Sequence, residues 1–291
     1  MMERTAKQPE PPTILITGCS SGIGYQVAHG LKKLGWRVFA TARKPEDVAR
    51  LYAEGLESLA LDLDDSASIQ AAVANLRTRT KKLDALFNNA AYAQPGAVED
   101  LTRDAIRAQF ESNVFGTMEL TNHVLKWMRA QNSGRIIQNT SVLGFIPMAY
   151  RGAYVASKYA MEGFTDTLRL ELADSNIQIM TLQLGPVRTE FRNNAHRQFM
   201  DNIDAGHSTH ASKYAHFIAQ FKTNGQETAF MVNPDRVLKT VVKMLTEKRP
   251  SIYYRVTLPT HIFHWMKRLL PMRCIDWILI RMAKMEAEGK G

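Results

Sequence analysis

Tyr154 and Lys158 stand four residues apart in a stretch of helical periodicity, so a phenol and an ammonium project from one face. Both groups can carry protons, yet a pair at this spacing arises by chance often enough to mean little alone. The surroundings decide its weight. Ser141 closes the apolar run before this helix, and Asn113 sits in another helical stretch, Ser112-Asn113-Val114-Phe115-Gly116, where an amide and a glycine need a reason. A hydrogen bond from Asn113 to a neighbouring carbonyl is one reason that involves no chemistry.

A second constellation lies near the start, where Thr17-Gly18-Cys19-Ser20-Ser21-Gly22-Ile23-Gly24 places three glycines between an apolar run and a helix. Glycine permits a tight turn and close backbone approach to a pyrophosphate, and the free N–H groups of a helix start bind anions. A glycine-rich turn with no ligand would look the same. Position at the first strand-to-helix junction favours the dinucleotide site. The next strand ends Ala42-Arg43-Lys44, where a fold that binds NAD commonly carries an acid for the ribose hydroxyls. A guanidinium there pairs with a 2′-phosphate, which argues for NADP; a solvated loop arginine is the alternative. Asp62 can accept from an adenine amino group, and Asn88-Asn89-Ala90-Ala91 offers small residues beside a ribose, although each segment could be an ordinary loop.

These residues follow short Val- and Ile-rich runs that alternate with amphipathic stretches, the pattern of βαβ units around a parallel sheet. Strands are expected over 13–17, 36–41, 58–61, 83–87, 135–140 and 177–184, with helices over 23–34 and 234–245. Six strands with intervening helices imply an α/β, Rossmann-type doubly wound sheet with helices on both faces, and ligands sit beyond its strand C-termini. The chain has 291 residues, 45% hydrophobic and 22% charged, enough for a large core in one elaborated domain. Residues 1–11 read as a flexible N-terminus, 12–255 as the catalytic domain with a lid at about 189–232, and 256–291 as a C-terminal extension. Two cysteines and no apolar leader suggest a reducing, cytoplasmic setting, and no run is long enough to span a bilayer.

The net charge of +9 is scattered except in residues 255–291, where seven basic residues face three acidic ones. No basic run with interleaved aromatics occurs, which argues against nucleic acid. His196, His207, His210 and His216 are loosely spaced without a cysteine, so no metal is expected. Residues 188–231 lose periodicity and read as a mobile insertion over the site. Its Phe191, Phe199, Met200, Phe217, Phe221, Phe230 and Met231 either line an apolar cleft or fold the insertion onto the body. In the tail, Ile275, Ile278, Leu279, Met282 and Met285 recur at helical spacing among basic residues. Such a basic amphipathic helix can lie on an anionic membrane surface, cap the substrate pocket or pack against another subunit.

In chain order, Thr17-Gly18-x-x-x-Gly22-x-Gly24, Asp62, Asn88-Asn89-Ala90, Asn113, Ser141, Tyr154-x-x-x-Lys158 and Gly185-Pro186-Val187-x-Thr189 resemble the short-chain dehydrogenase/reductase superfamily over roughly residues 12–255. The loop glycines, Arg43 and the Gly185–Thr189 segment look like its hydroxysteroid and retinol dehydrogenase branch. Ala91 stands where the family has glycine, and Leu184 where it has proline. The resemblance implies a tetrad in which Tyr154 exchanges the proton, Lys158 lowers its pKa and holds the nicotinamide ribose, Ser141 orients the substrate oxygen, and Asn113 holds a relay water. It also implies NADP(H) contacts at Gly18, Ser20, Ser21, Gly22, Ile23, Gly24, Arg43, Asp62, Leu63, Asn89, Ala90, Ala91, Tyr154, Lys158, Val187 and Thr189. A free tyrosine has a pKa of about 10, so useful proton transfer near neutrality needs a neighbouring cation. The expected activity is hydride transfer between NADP(H) and an apolar aldehyde or ketone, or the reverse oxidation, in a dimer or tetramer. A nucleotide-binding redox sensor or scaffold without turnover is the rival reading, and a lipid-binding platform a third.

Overall fold

The computed structural model describes residues 10–222 and 230–287, excluding the side chains of 220–222 and 286–287. The expected arm over residues 1–9, the Phe221 side chain and the last tail charges lie outside the described residues. Strand β1 (Thr13–Ile16) is buried along its whole length, as a strand covered on both faces must be. It lies between β2 (Arg37–Ala42), flanked by β3 (Glu57–Ala60), and β4 (Ala85–Asn88), followed outward by β5 (Gly134–Asn139), β6 (Ile177–Gln183) and β7 (Tyr253–Arg255). Every pairing is parallel. The order 3-2-1-4-5-6-7 reverses between β1 and β4, which opens a crevice at their C-terminal ends.

Helices cover both faces. On one, α1 (Gly22–Lys33), α2 (Pro45–Ala53) and α9 (Pro234–Thr246) bury Val27, Leu31, Leu51, Val237 and Val241 against the strands. On the other, α3 (Ser66–Arg79), α5 (Thr117–Ala130) and α6 (Gly152–Glu171) bury Ile69, Leu76, Leu120, Val124 and Leu168. Between these, α4 (Arg103–Phe110) runs into a π-helical turn, Glu111–Gly116, that carries Asn113.

Six strands fall on the expected segments with ends shifted by one or two residues. The seventh, β7, was not expected: three residues give no readable alternation, and only pairing with β6 makes them a strand. Residues 188–231 also differ from expectation, because they contain α7 (Phe191–Asn202) and α8 (Ala211–Lys222). These helices bury Phe199 and Tyr214 in a small cluster with Ala97 and Ile203, too few apolar positions for a clear period. The Tyr214 hydroxyl accepts from the Ala97 N–H at 2.7 Å and donates to Asp100, fixing α8 to the segment after β4. The tail forms α10 (Leu258–Leu269) and α11 (Met272–Ala287).

Gly116 ends the π-helical turn against the chain that leaves β3. A Cβ built there would lie 1.8 Å from the Leu63 carbonyl oxygen, so only glycine admits this approach. Gly116→Ala should therefore destabilise the fold by about 1–3 kcal/mol, the usual range for forced overpacking. Urea unfolding checks this, and an unchanged midpoint would mean that the turn relaxes without strain.

Candidate active site

Ser141 lies two residues beyond the end of β5 and accepts from the Leu143 N–H at 3.1 Å, capping a 3₁₀ turn. The α6 helix then brings Tyr154 and Lys158 beneath it. All three are buried, with 8%, 8% and 4% of their surfaces exposed for Ser141, Tyr154 and Lys158. Lys158 Nζ donates to the Asn139 carbonyl at 2.8 Å and lies 5.7 Å from the Tyr154 ring centre. The four-residue spacing thus does what the helix face required, and β5 supplies the other wall.

Burial dominates the electrostatics of the pair. It pushes the Tyr154 phenol up to about 12, and the Ser141 hydrogen bond opposes this. It pushes Lys158 down to about 8, while Glu162 beneath it favours the charged form. With the protein alone, desolvation of the phenolate is the largest influence on Tyr154. At neutral pH the site presents a protonated phenol beside a protonated amine.

Asn113 is held in this site through its side-chain amide. Its Oδ1 accepts from the Tyr92 N–H at 3.1 Å, and its Nδ2 donates to the Tyr92 carbonyl at 3.0 Å and to Ser157 Oγ at 3.2 Å. Both faces of the amide are committed to protein. The side chain clamps the segment after β4 to α6 one residue before Lys158, and the bond to a neighbouring carbonyl weighed in the sequence is present.

The glycine loop joins β1 to α1. Gly18 has φ of +70°, and a Cβ there would lie 2.9 Å from the Ala90 backbone, so the loop and the segment after β4 meet in the crevice through glycine alone. Thr17 Oγ1 accepts from the Asn89 and Ala90 N–H groups at 2.9 Å each, and Asn89 Nδ2 returns a bond to the Thr17 carbonyl at 3.0 Å. Asn139 Nδ2 reaches Asn89 Oδ1 at 3.1 Å, tying this corner to the strand that holds Lys158. Ser21 begins α1 with no side-chain cap, and the first turn holds no acid. Its open N–H groups and positive dipole end fit a phosphate. Ser20 lies in the same loop, its carbonyl taken by Arg50 at 2.7 Å, and Ile23 packs against the core. Cys19, fully buried with its thiol pushed up to about 12, is a packing residue.

The remaining expected contacts border the same crevice. Thr189 stands over the loop, since a Cβ on Gly22 would lie 3.0 Å from its methyl. Val187 forms an isolated bridge with Val232, which closes the base of the 189–232 segment. Asp62 is turned inward onto its own chain, accepting from the Asp64 N–H at 3.1 Å, and Leu63 is buried. Arg43 is largely exposed and 3.9 Å from Asp64. Ala91, where the family has glycine, is half-buried beside Ala90, while Leu184 fills the core below Gly185.

An apolar wall closes the site. Val142, Leu143 and Ile146 after β5, Ala93 after β4 and Ala195 on α7 pack around Tyr154 together with Phe263 and Ile275 from the tail. The Phe191 ring meets Tyr154 edge-on at 5.6 Å between centres. Of the apolar residues that could line a cleft or fold the insertion onto the body, Phe191 faces Tyr154. Phe199 and Phe217 instead fold the segment onto itself, and Met200 and Phe230 face solvent.

The sequence reading missed Asn139 and Glu162. Glu162 accepts from Thr140 at 2.6 Å and Gln183 at 3.1 Å, and burial raises its pKa. Its place four residues after Lys158, on the same helix face, was the signal available. Asn139 acts through its backbone carbonyl, which no residue type reveals.

The buried lysine makes stability depend on pH. Its folded pKa of about 8 lies below its ordinary value of 10.5. Below about pH 8 both folded and unfolded chains bind the proton, whereas above it the unfolded chain binds more, so stability from this group rises with pH. The Tm of wild type relative to Lys158→Met should therefore climb as pH is raised from about 8 to about 10. A flat difference would show that the ammonium is not desolvated.

Comparison with known proteins agrees with this geometry. A family described as short chain dehydrogenase matches residues 12–199. The chain is 36% identical over 268 residues to the uncharacterized oxidoreductase YbbO of Escherichia coli K12, covering 92% of this chain and 93% of that one. It is 30% identical to human 17-beta-hydroxysteroid dehydrogenase type 1, covering 84% and 77% respectively. Among solved structures, a short chain dehydrogenase/reductase from Burkholderia phymatum in complex with NAD superposes with a TM-score of 0.74 at 22% identity, covering 92% and 95%. The closed form of a serine dehydrogenase complexed with NADP+ does so at 0.72 and 24%, covering 85% and 95%. With the matched region spanning both the glycine loop and the Tyr154–Lys158 pair, the chain belongs to the short-chain dehydrogenase/reductase superfamily.

Proposed function

We propose that this oxidoreductase uses NADP(H) to interconvert an apolar aldehyde or ketone and its alcohol. The observation that carries the reading is the burial of Ser141, Tyr154 and Lys158 together under an apolar wall, next to a glycine loop whose helix start is open. The cofactor supplies a hydride at the carbonyl carbon. Ser141 and Tyr154 hold the carbonyl oxygen between two hydroxyls. Tyr154 Oη then passes its proton to that oxygen, and Lys158, kept close by Asn139, stabilises the phenolate left behind. The reductive direction needs a protonated phenol, which Tyr154 is at neutral pH. The same residues run the oxidation backwards. Asn113 serves as a positioning residue, since its amide is occupied in joining Tyr92 to Ser157.

The NADP preference rests on Arg43. Its 3.9 Å contact with Asp64 is long and exposed, and pairs of this kind are worth little, so exchanging it for a 2′-phosphate costs little. The apolar wall supports a substrate such as a medium-chain aldehyde, a retinoid or a steroid, in line with the hydroxysteroid dehydrogenase relative. The family resemblance further supports a homodimer or tetramer, the weakened periodicity a lid at 189–232, and the sparse cysteines a cytoplasmic setting. No helix among the described residues is long and apolar enough to cross a membrane.

NADPH and NADH oxidation across a panel of aldehydes, retinal and steroid ketones tests the reading. Tyr154→Phe should lower turnover by about 10²-fold or more, because general acid help contributes about 10²- to 10⁴-fold, while NADPH affinity stays within a few-fold. Equal turnover in the variant would assign the proton to another group. Arg43→Asp should reverse the coenzyme preference toward NADH by about tenfold or more, the loss expected for one charge-assisted pair turned repulsive. An unchanged ratio of coenzyme efficiencies would place the 2′-phosphate elsewhere.

A further inference from the structure

The tail helices have two faces of opposite use. Inward, Phe263 and Ile275 are 7% and 1% exposed and pack around Tyr154 with Val142 and Ile146. Lys267 fastens α10 to the body through the Phe145 carbonyl at 2.7 Å. Outward, α10 presents Leu258, Ile262, Trp265 and Leu269 at i, i+4, i+7 and i+11, a single stripe in which each side chain is 45–71% exposed. On α11 the same spacing brings Arg273, Trp277, Ile280 and Lys284 onto one face, with Trp277 and Ile280 62% and 56% exposed. A stripe of this size on a water-soluble surface calls for an occupant.

Charge selects which one. Lys267, Arg268, Arg273, Arg281 and Lys284 stand on the two helices against Asp276 and Glu286, five minus two, or +3. A second copy docked on this face would oppose like charges with almost no acid to pair them. A layer of anionic headgroups would meet the exposed Arg268, Arg273, Arg281 and Lys284, while the tryptophans and leucines enter the boundary with the acyl chains. Neither helix is long and apolar enough to span a membrane, so the pair lies along it.

We infer that α10 and α11 form an interfacial anchor that seats the enzyme on an anionic bilayer surface, with the opposite side of the same helices walling the site around Tyr154. Docking is independent of the proposed reductase activity. Only its consequence, direct entry of a lipophilic carbonyl from the bilayer into the apolar wall, rests on that reading.

Co-sedimentation of the full chain with sucrose-loaded vesicles tests the anchor. Vesicles of phosphatidylcholine with about one-third phosphatidylglycerol should bind at least tenfold more tightly than pure phosphatidylcholine, and added salt should weaken binding, since each basic residue near such a surface contributes roughly fivefold. Ile262→Glu with Leu269→Glu, or Arg273→Glu with Lys284→Glu, should remove vesicle binding while NADPH still quenches tryptophan fluorescence. All four residues are exposed, so the core is untouched, and NADPH binding reports that each variant is folded. Equal binding by wild type and both variants would overturn the anchor. So would absence of vesicle binding by the wild type. Sedimentation velocity then identifies the other occupant: a dimer that Ile262→Glu with Leu269→Glu dissociates would assign the stripe to a second copy. Failure of turnover with intact vesicle binding would count against the reductase reading alone.

Discussion

A protonated lysine inside a protein is tolerable only where its charge is met, and the site is organised around that constraint. Lys158 satisfies it with the Asn139 carbonyl at the end of β5, the field of Glu162 one turn further along α6, and the neighbouring Tyr154 ring. Asn139 is itself tied to Asn89, and Asn89 to Thr17 and the glycine loop. The cation therefore couples the proton-handling end of the crevice to its nucleotide end. The same burial disfavours both charged forms, pushing the Lys158 pKa down and the Tyr154 pKa up.

Close backbone approach is the second organising feature. The loop after β1 can meet Ala90 only at Gly18, and the chain leaving β3 can meet the π-helical turn only at Gly116. Together they bring the ends of β1, β3 and β4 to a common edge at the point where strand order reverses. Asn113, carried on the wider π turn, then spans from Tyr92 to Ser157 and holds that edge against α6. A regular α-helical turn would place its amide elsewhere on the helix circumference.

The periphery shows the opposite economy. Segment 189–232 carries its own small core around Phe199 and Tyr214 and sends Phe191 and Ala195 toward Tyr154. The tail contributes Phe263 and Ile275 to the same wall while keeping a larger apolar face outside. Both additions contribute to the apolar cluster that contains Tyr154 while standing apart from the β5–α6 framework that carries Ser141, Tyr154 and Lys158.

The alternation of apolar runs and the order of the motifs by themselves determined the doubly wound sheet, six of its strands, and the gathering of Gly18, Asn89, Ser141, Tyr154 and Lys158 at strand ends. These follow from short-range periodicity and from a topology that sends every strand's C-terminus to one edge. Tertiary structure alone decided the rest. β7 exists only because β6 offers it a ladder, and α7 and α8 because a few aromatic residues find Ala97 and Asp100. Asn113 became a clamp, and Asn139 a partner for the lysine, through contacts of backbone groups that every residue possesses. Residue types signal side-chain chemistry, but the pKa of a phenol, the use of an amide and the face a tail helix turns outward depend on what the folded chain places against them.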